Sequence, residues 1–208
     1  MKNVLIVTSS AQGAASVSTR IAEQYAEALA DTYPGVEIVR RDVGAQPIPH
    51  LTAETVAGIR GVAGTEAERE TLALSDELVA ELQAADLIVV AAPMYNFGMS
   101  STLKTWFDHV LRARVTFRYT ESGPEGLLKG KKAVVIESRA GLYSEGPAAA
   151  MDSQEPHIRT LLGFMGIDDV EFVRAEKLAF GPEVAEQSIA DAVAAVRGLT
   201  GRELALAA

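Results

Sequence analysis

Apolar positions in this chain follow two periodicities. Val4-Leu5-Ile6-Val7 is a short, mostly β-branched run that gives way to Thr8-Ser9-Ser10, the pattern of a buried strand entering a polar loop. Ile21, Tyr25, Ala28 and Leu29 recur at the spacing of one helical face, and Pro34-Gly35 stops that helix. Val36 to Val39 reads as a second strand. Gln46-Pro47-Ile48-Pro49 reads as loop, because neither proline can donate to a ladder. A long helix is predicted over Glu66 to Ala84, with Leu74, Leu78, Val79 and Leu82 on one side. Asp86 to Ala92 is the strongest strand, apolar at consecutive positions as a central parallel strand should be. Leu103 to Leu111 predicts helix, Lys132 to Ile136 a fourth strand, and Ile158 to Met165 helix. Val170 to Val173 predicts a fifth strand, and Val184 to Leu199 a last amphipathic helix. Thr116 to Gly126, polar with Gly and Pro, predicts an excursion from the regular pattern, and the Ala-rich end, Leu204 to Ala208, is expected to fray.

Strands that alternate with helices imply right-handed crossovers, a parallel sheet and helices on both faces. Five strands suit the doubly wound, flavodoxin-like order 2-1-3-4-5, so the fold class expected is α/β, one domain over residues 1–208. In such a sheet, ligands bind beyond the carboxyl ends of the strands, where the strand order switches. Three loops therefore matter: Ser9 to Ser18, Pro93 to Ser100, and Ser138 to Gly146.

The first loop is rich in hydroxyls and small side chains and leads into a helix N-terminus. There, unpaired N–H groups and Ser10, Ser16, Val17 and Ser18 could hold a phosphate without a basic side chain. An ordinary turn capped by Ser18 fits the same residues. The loop has neither Gly-x-Gly-x-x-Gly nor Gly-Lys-Ser/Thr, so it is neither a dinucleotide fingerprint nor a P-loop. The second loop carries Met94-Tyr95-Asn96-Phe97. Two aromatics and a thioether offer flat contact to a ring system, and an asparagine can pair with a polar ring edge. A hydrophobic loop packed under the next helix is the alternative. The third loop, Ser138-Arg139-Ala140-Gly141, has small residues that let a ligand approach the backbone, or it is a plain turn.

Composition narrows the chemistry. With no cysteine among 208 residues, thiol nucleophiles, disulfides and iron–sulfur clusters are excluded. A formal net charge of −9 disfavours nucleic acid as a partner. Leu87 to Met94, the longest apolar stretch, falls far short of the ~20 residues a membrane span needs. A soluble, cytoplasmic protein is therefore expected, with no membrane partner. His50, His109 and His157 stand apart without metal-ligand spacing, so no metal is expected. Asp76-Glu77 and Asp168-Asp169 read as solvated charges.

The loops together resemble the FMN-dependent NADH-azoreductase family, within the NAD(P)H:quinone oxidoreductase group. The matching residues are Ser9-Ser10 with Ser16-Val17-Ser18, Ala92 to Phe97, Phe117-Arg118-Tyr119-Thr120-Glu121, Gly123 to Gly126, and Ser138 to Gly141. Leu162-Gly163-Phe164 and Gly181-Pro182-Glu183 also match. The resemblance implies bound FMN, NADH or NADPH as donor, quinone or azo acceptors, and a homodimer. It implies that Ser10 and Ser16 to Ser18 hold the FMN phosphate, that Met94 to Phe97 border the flavin ring, and that Ser138 to Gly141 line its other side. Two departures stand out. Ala140 occupies a position where the family usually has glycine, and the segment Ala148 to Pro156 is longer than is typical.

The expected mechanism is a two-electron, ping-pong cycle in which donor and acceptor use one place in turn. No side chain is assigned as catalytic acid, base or nucleophile. Phe97, Tyr119 and Phe164 are candidate pocket walls, and Arg60 or Arg139 a candidate contact to an anionic ligand. The alternatives are a flavodoxin-like electron carrier and a non-flavin α/β binding domain.

Overall fold

The computed structural model describes residues 1–206. Among the described residues seven strands form two sheets: β1 (Asn3–Thr8), β2 (Glu37–Asp42), β3 (Leu87–Pro93), β4 (Phe117–Thr120), β5 (Gly123–Gly126), β6 (Lys132–Ser138) and β7 (Asp169–Ala175). The α-helices are α1 (Val17–Thr32), α2 (Val56–Ile59), α3 (Glu66–Ala84), α4 (Ser101–Val110), α5 (Glu155–Phe164) and α6 (Pro182–Leu206). Five strands pair in parallel in the order β2-β1-β3-β6-β7, which is 2-1-3-4-5 when the β4–β5 hairpin is set aside.

Side-chain alternation along the central strands divides the core in two. Val4, Ile6, Leu87, Val89 and Ala91 share a cluster with Ile21, Tyr25 and Leu29 of α1 and Val196 of α6. Leu5, Val7, Ile88, Val90 and Ala92 share another with Leu78 and Leu82 of α3, Trp106 and Phe107 of α4, and Leu162 of α5. Each fully buried Leu or Ile contributes about 1.5–3 kcal/mol. A capping box starts α3: Thr65 Oγ1 accepts the Glu68 N–H, and Glu68 Oε2 accepts that of Thr65 at 2.8 Å.

Several expectations need correction. The second strand runs on through Arg40, Arg41 and Asp42, charges that hid it from an apolar reading. Arg40 pairs with Glu23, and Arg41 with Glu77 and Glu81, so this edge strand tolerates them. The excursion at 116–126 is the antiparallel β4–β5 hairpin. It docks through Phe117, whose ring lies 4.7 Å from that of Phe164 and 5.6 Å from Tyr119. The short α2 and the 3-10 turns at Gly13–Ala15 and Ala149–Met151 were not foreseen. Asp76 is exposed as expected, and it also pairs with the buried Arg112. Of the end expected to fray, α6 takes in Leu204 to Leu206, and residues 207 and 208 lie outside the described residues. Among the described residues no helix is long and apolar enough to cross a membrane.

Candidate functional site

The three loops converge at the carboxyl ends of β1, β3 and β6. Ser9 ties the first loop to the third strand: its Oγ donates to the Ala91 carbonyl at 2.9 Å, and its own carbonyl accepts from Thr102 Oγ1 at 3.0 Å. Ser16 caps α1 with no side-chain hydrogen bond to the helix. The buried hydroxyls of Ser16 and Ser18 instead face each other at 3.1 Å. They lie at the positive end of a helix dipole with no basic residue in the loop. Tyr95 crosses from the second loop, where its hydroxyl accepts the Ala11 N–H at 3.2 Å and meets Ser10 Oγ at 3.3 Å. Gly44 backs the first loop closely, since a Cβ there would lie 2.3 Å from the Ser10 carbonyl oxygen.

Asn96 and Phe97 are the centre of a tight turn. Tyr95 N donates to Gly98 O at 2.9 Å, and Gly98 N returns a bond to Tyr95 O at 3.1 Å. Such a turn needs left-handed backbone at both central residues, and φ is +48° at Asn96 and +71° at Phe97. Asparagine adopts this readily, whereas phenylalanine does so at a cost of roughly 1–2 kcal/mol. Strain of this kind persists where the surroundings enforce it. Here Ser153 N donates to the Phe97 carbonyl at 3.0 Å, and the Tyr143 ring meets the Phe97 ring edge-on at 6.0 Å.

A cavity of about 230 Å³ brings together Ser10, Ser16 and Val17 of the first loop, Met94 and Tyr95 of the second, and Ser138, Arg139 and Ala140 of the third. A neighbouring cavity of about 400 Å³ shares Tyr95 and takes Asn96, with Ser9 and Thr102. Ser18, Phe97 and Gly141 line neither: Ser18 is fully buried, and Phe97 is 40 % exposed. Ala140, where a glycine was expected, is not in the left-handed region, so its backbone has no need of glycine. Tyr119 is largely exposed on the hairpin, Phe164 packs on Phe117, and Arg60 ends α2 at the surface.

Leu178 and Ala179 also line the smaller cavity and were missed. They follow β7, the neighbour of β6, and the strand order could have pointed to that loop. Gln154 was missed as well. It is fully buried and its Nε2 donates to the Ala92 carbonyl at 2.9 Å, which fastens the turn before α5 to the end of β3.

Arg139 is the surprise. It was a candidate contact to an anionic ligand, yet its side chain is wholly buried among carboxylates. Its Nη2 lies 2.5 Å from Glu137 Oε2 and 3.0 Å from Asp152, and its Nη1 donates to Glu176 at 3.2 Å. Burial opposes the charge on Arg139, and the Glu137 carboxylate more than restores it, raising the pKa further. Burial would raise Glu176 too, but bonds from the Ser144 hydroxyl and Tyr143 N–H and the charge of Arg139 hold it below the usual carboxylate range.

The sequence of the flavodoxin-like fold family matches residues 2–199 of this chain. The chain belongs to that family. Among curated relatives it is 55 % identical over 192 residues to an FMN-dependent NADH:quinone oxidoreductase of Hyphomonas neptunium, covering 92 % of each chain. It is 50 % identical over 194 residues to a protein of the same name from Yersinia pestis, covering 92 % of this chain and 95 % of that one. Among solved structures it superposes on an azoreductase from Bacillus anthracis with TM-score 0.89 and 28 % identity, over 97 % of this chain and 100 % of that one.

Proposed function

We propose that this chain is an FMN-dependent oxidoreductase that takes hydride from NADH or NADPH and reduces quinones and azo compounds in two alternating half-reactions. The observation that carries the reading is the cavity where Ser10, Ser16, Val17, Met94, Tyr95, Ser138, Arg139 and Ala140 meet. The donor set there suits FMN. Buried hydroxyls and free helix-end N–H groups match a phosphate, and small side chains beside an aromatic match a flat ring. The names of relatives at about half identity over most of the chain support the same chemistry.

In this reading Ser10 and Ser16 to Ser18 hold the phosphate, and Met94 to Phe97 and Ser138 to Gly141 flank the ring. FMN held there would supply the two-electron redox chemistry between nicotinamide donor and acceptor. The protein binds and orients. Tyr95 locks the phosphate loop to the ring loop, Gln154 holds the turn before α5 against β3, and Phe97 offers an apolar wall at the rim. No side chain is asked to transfer a proton to the acceptor.

The reading includes one domain over 1–208, a sheet covered on both faces, and a homodimer of the cytoplasm, where the nicotinamide donor is made and used. The two core clusters support the covered sheet. Exposed Phe97, Tyr119 and Met151 support an interface near the cavity. Steady-state kinetics with NADH and a quinone test the mechanism. FMN-dependent turnover with parallel double-reciprocal lines is expected, and intersecting lines would contradict alternating occupancy.

A further inference from the structure

Glu137 is the last-but-one residue of β6, directly before the cavity-lining Ser138, and its side chain is fully buried. Oε2 meets Arg139, while Oε1 has no hydrogen-bond partner. We propose that Glu137, acting through Arg139, is a positioning residue for the Ser138–Gly141 wall and takes up a proton when an anion occupies the adjoining cavity. The proposal rests on the FMN reading, because the phosphate of FMN is that anion.

The cluster carries more acid than base. Glu137 faces Arg139 from its own loop, Asp152 from the turn before α5, Glu155 from α5, and Arg174 at 3.9 Å from β7, while Glu176, just beyond β7, meets the other side of Arg139. Arg159 joins only at the outer edge, through Glu155. Four carboxylates thus surround one fully buried guanidinium and a second that is a third exposed. Three of the four are well served. Asp152 accepts the Gln154 and Glu155 N–H groups, Glu155 accepts Arg159 and Arg174, and Glu176 accepts Tyr143 N, Ser144 N and Ser144 Oγ. Glu137 alone keeps a bare buried oxygen, which costs more on an anion than on a neutral acid. Burial pushes its carboxyl up to about 7, with Arg139 opposing and Glu155 and Asp152 adding to the rise.

An anion in the cavity lined by Arg139 adds negative potential to this cluster. The least costly relief is a proton on Glu137. A neutral Glu137 also leaves more of the buried Arg139 charge uncompensated beside the cavity, so proton and anion favour each other reciprocally. In the ligand-free protein the folded pKa lies above the ordinary 4.5. Glu137 therefore supports the fold at low pH, and that support is lost as pH rises towards about 7.

Two measurements on wild type and Glu137→Gln decide the matter. In the first, thermal midpoints of the FMN-free proteins are followed from acid to mildly alkaline pH. The advantage of the variant should widen as pH rises to about 7 and then level off, and parallel profiles would overturn the proposal. In the second, calorimetric titration with FMN in buffers of different ionisation enthalpy counts protons. Wild type should take up more than the variant, with the titration of FMN itself cancelling between them, and equal uptake would overturn the linkage. Should the variant not fold, the infrared band of a protonated carboxyl in wild type decides. It should persist to about pH 7, and its loss along with ordinary carboxylates near pH 4 would overturn the proposal. Failure of wild type to bind FMN would sink the functional reading instead, and the FMN-free profiles would still judge Glu137.

Discussion

Phe97 is left-handed, half-exposed and edge-on to Tyr143, a combination that a core residue would not need. Its backbone strain is worth roughly 1–2 kcal/mol, and its ring contact about 0.5–1.5 kcal/mol. The two nearly cancel in Phe97→Gly, so its thermal midpoint should stay within about 5 °C of wild type while the KM for the acceptor rises. A large fall in midpoint would make Phe97 a packing residue. Ser16 offers a second single-residue test. Ser16→Ala should weaken FMN binding by about tenfold or more, the scale of one hydrogen bond to a charged group, with little loss of stability. Fluorescence quenching of FMN measures it, and an unchanged Kd would remove Ser16 from the phosphate site. Residues such as Ser10, Met94 and Tyr95 were legible in the sequence because they stand in loops of unusual composition. Glu137 and Gln154 were not, since a carboxylate inside an apolar strand and an amide before a helix give no pattern until the fold buries them.

Elements differ in how plainly they are written. The central strands and α3 show because burial on both faces and an apolar side repeating through Leu74, Leu78, Val79 and Leu82 leave continuous local signals. Strand β2 is partly hidden because an edge strand can carry Arg40 and Arg41 when helix carboxylates answer them. The β4–β5 hairpin is hidden more deeply. Its only strongly buried side chain is Phe117, and the Phe164 ring it packs on lies far along the chain. Phe117→Ala should therefore loosen the hairpin and cost about 3 kcal/mol, read by chemical unfolding. A cost below about 1 kcal/mol would mean that the hairpin is held by its backbone alone. At the first loop, Gly44→Ala puts a methyl against the Ser10 carbonyl. FMN affinity should fall with stability, because the loop must shift to admit it.

For the whole molecule, the strand order by itself puts three separate loops at one end of the sheet, and both cavities described above lie there. The charge network beneath them was out of reach, because it depends on how the turn before α5 folds over β6. Exposed Tyr119 and Phe97 lead us to expect a particle of twice 22.0 kDa by light scattering, and a monomer at working concentration would count against a shared interface. The central claim, that this chain binds FMN and reduces it with a nicotinamide donor, is tested most directly by anaerobic titration of the FMN-reconstituted protein with NADH while the visible flavin band is followed. The account predicts bleaching at about one NADH per bound FMN, consistent with two-electron transfer. A bound flavin that NADH leaves coloured, or a protein that binds no flavin at all, would contradict it.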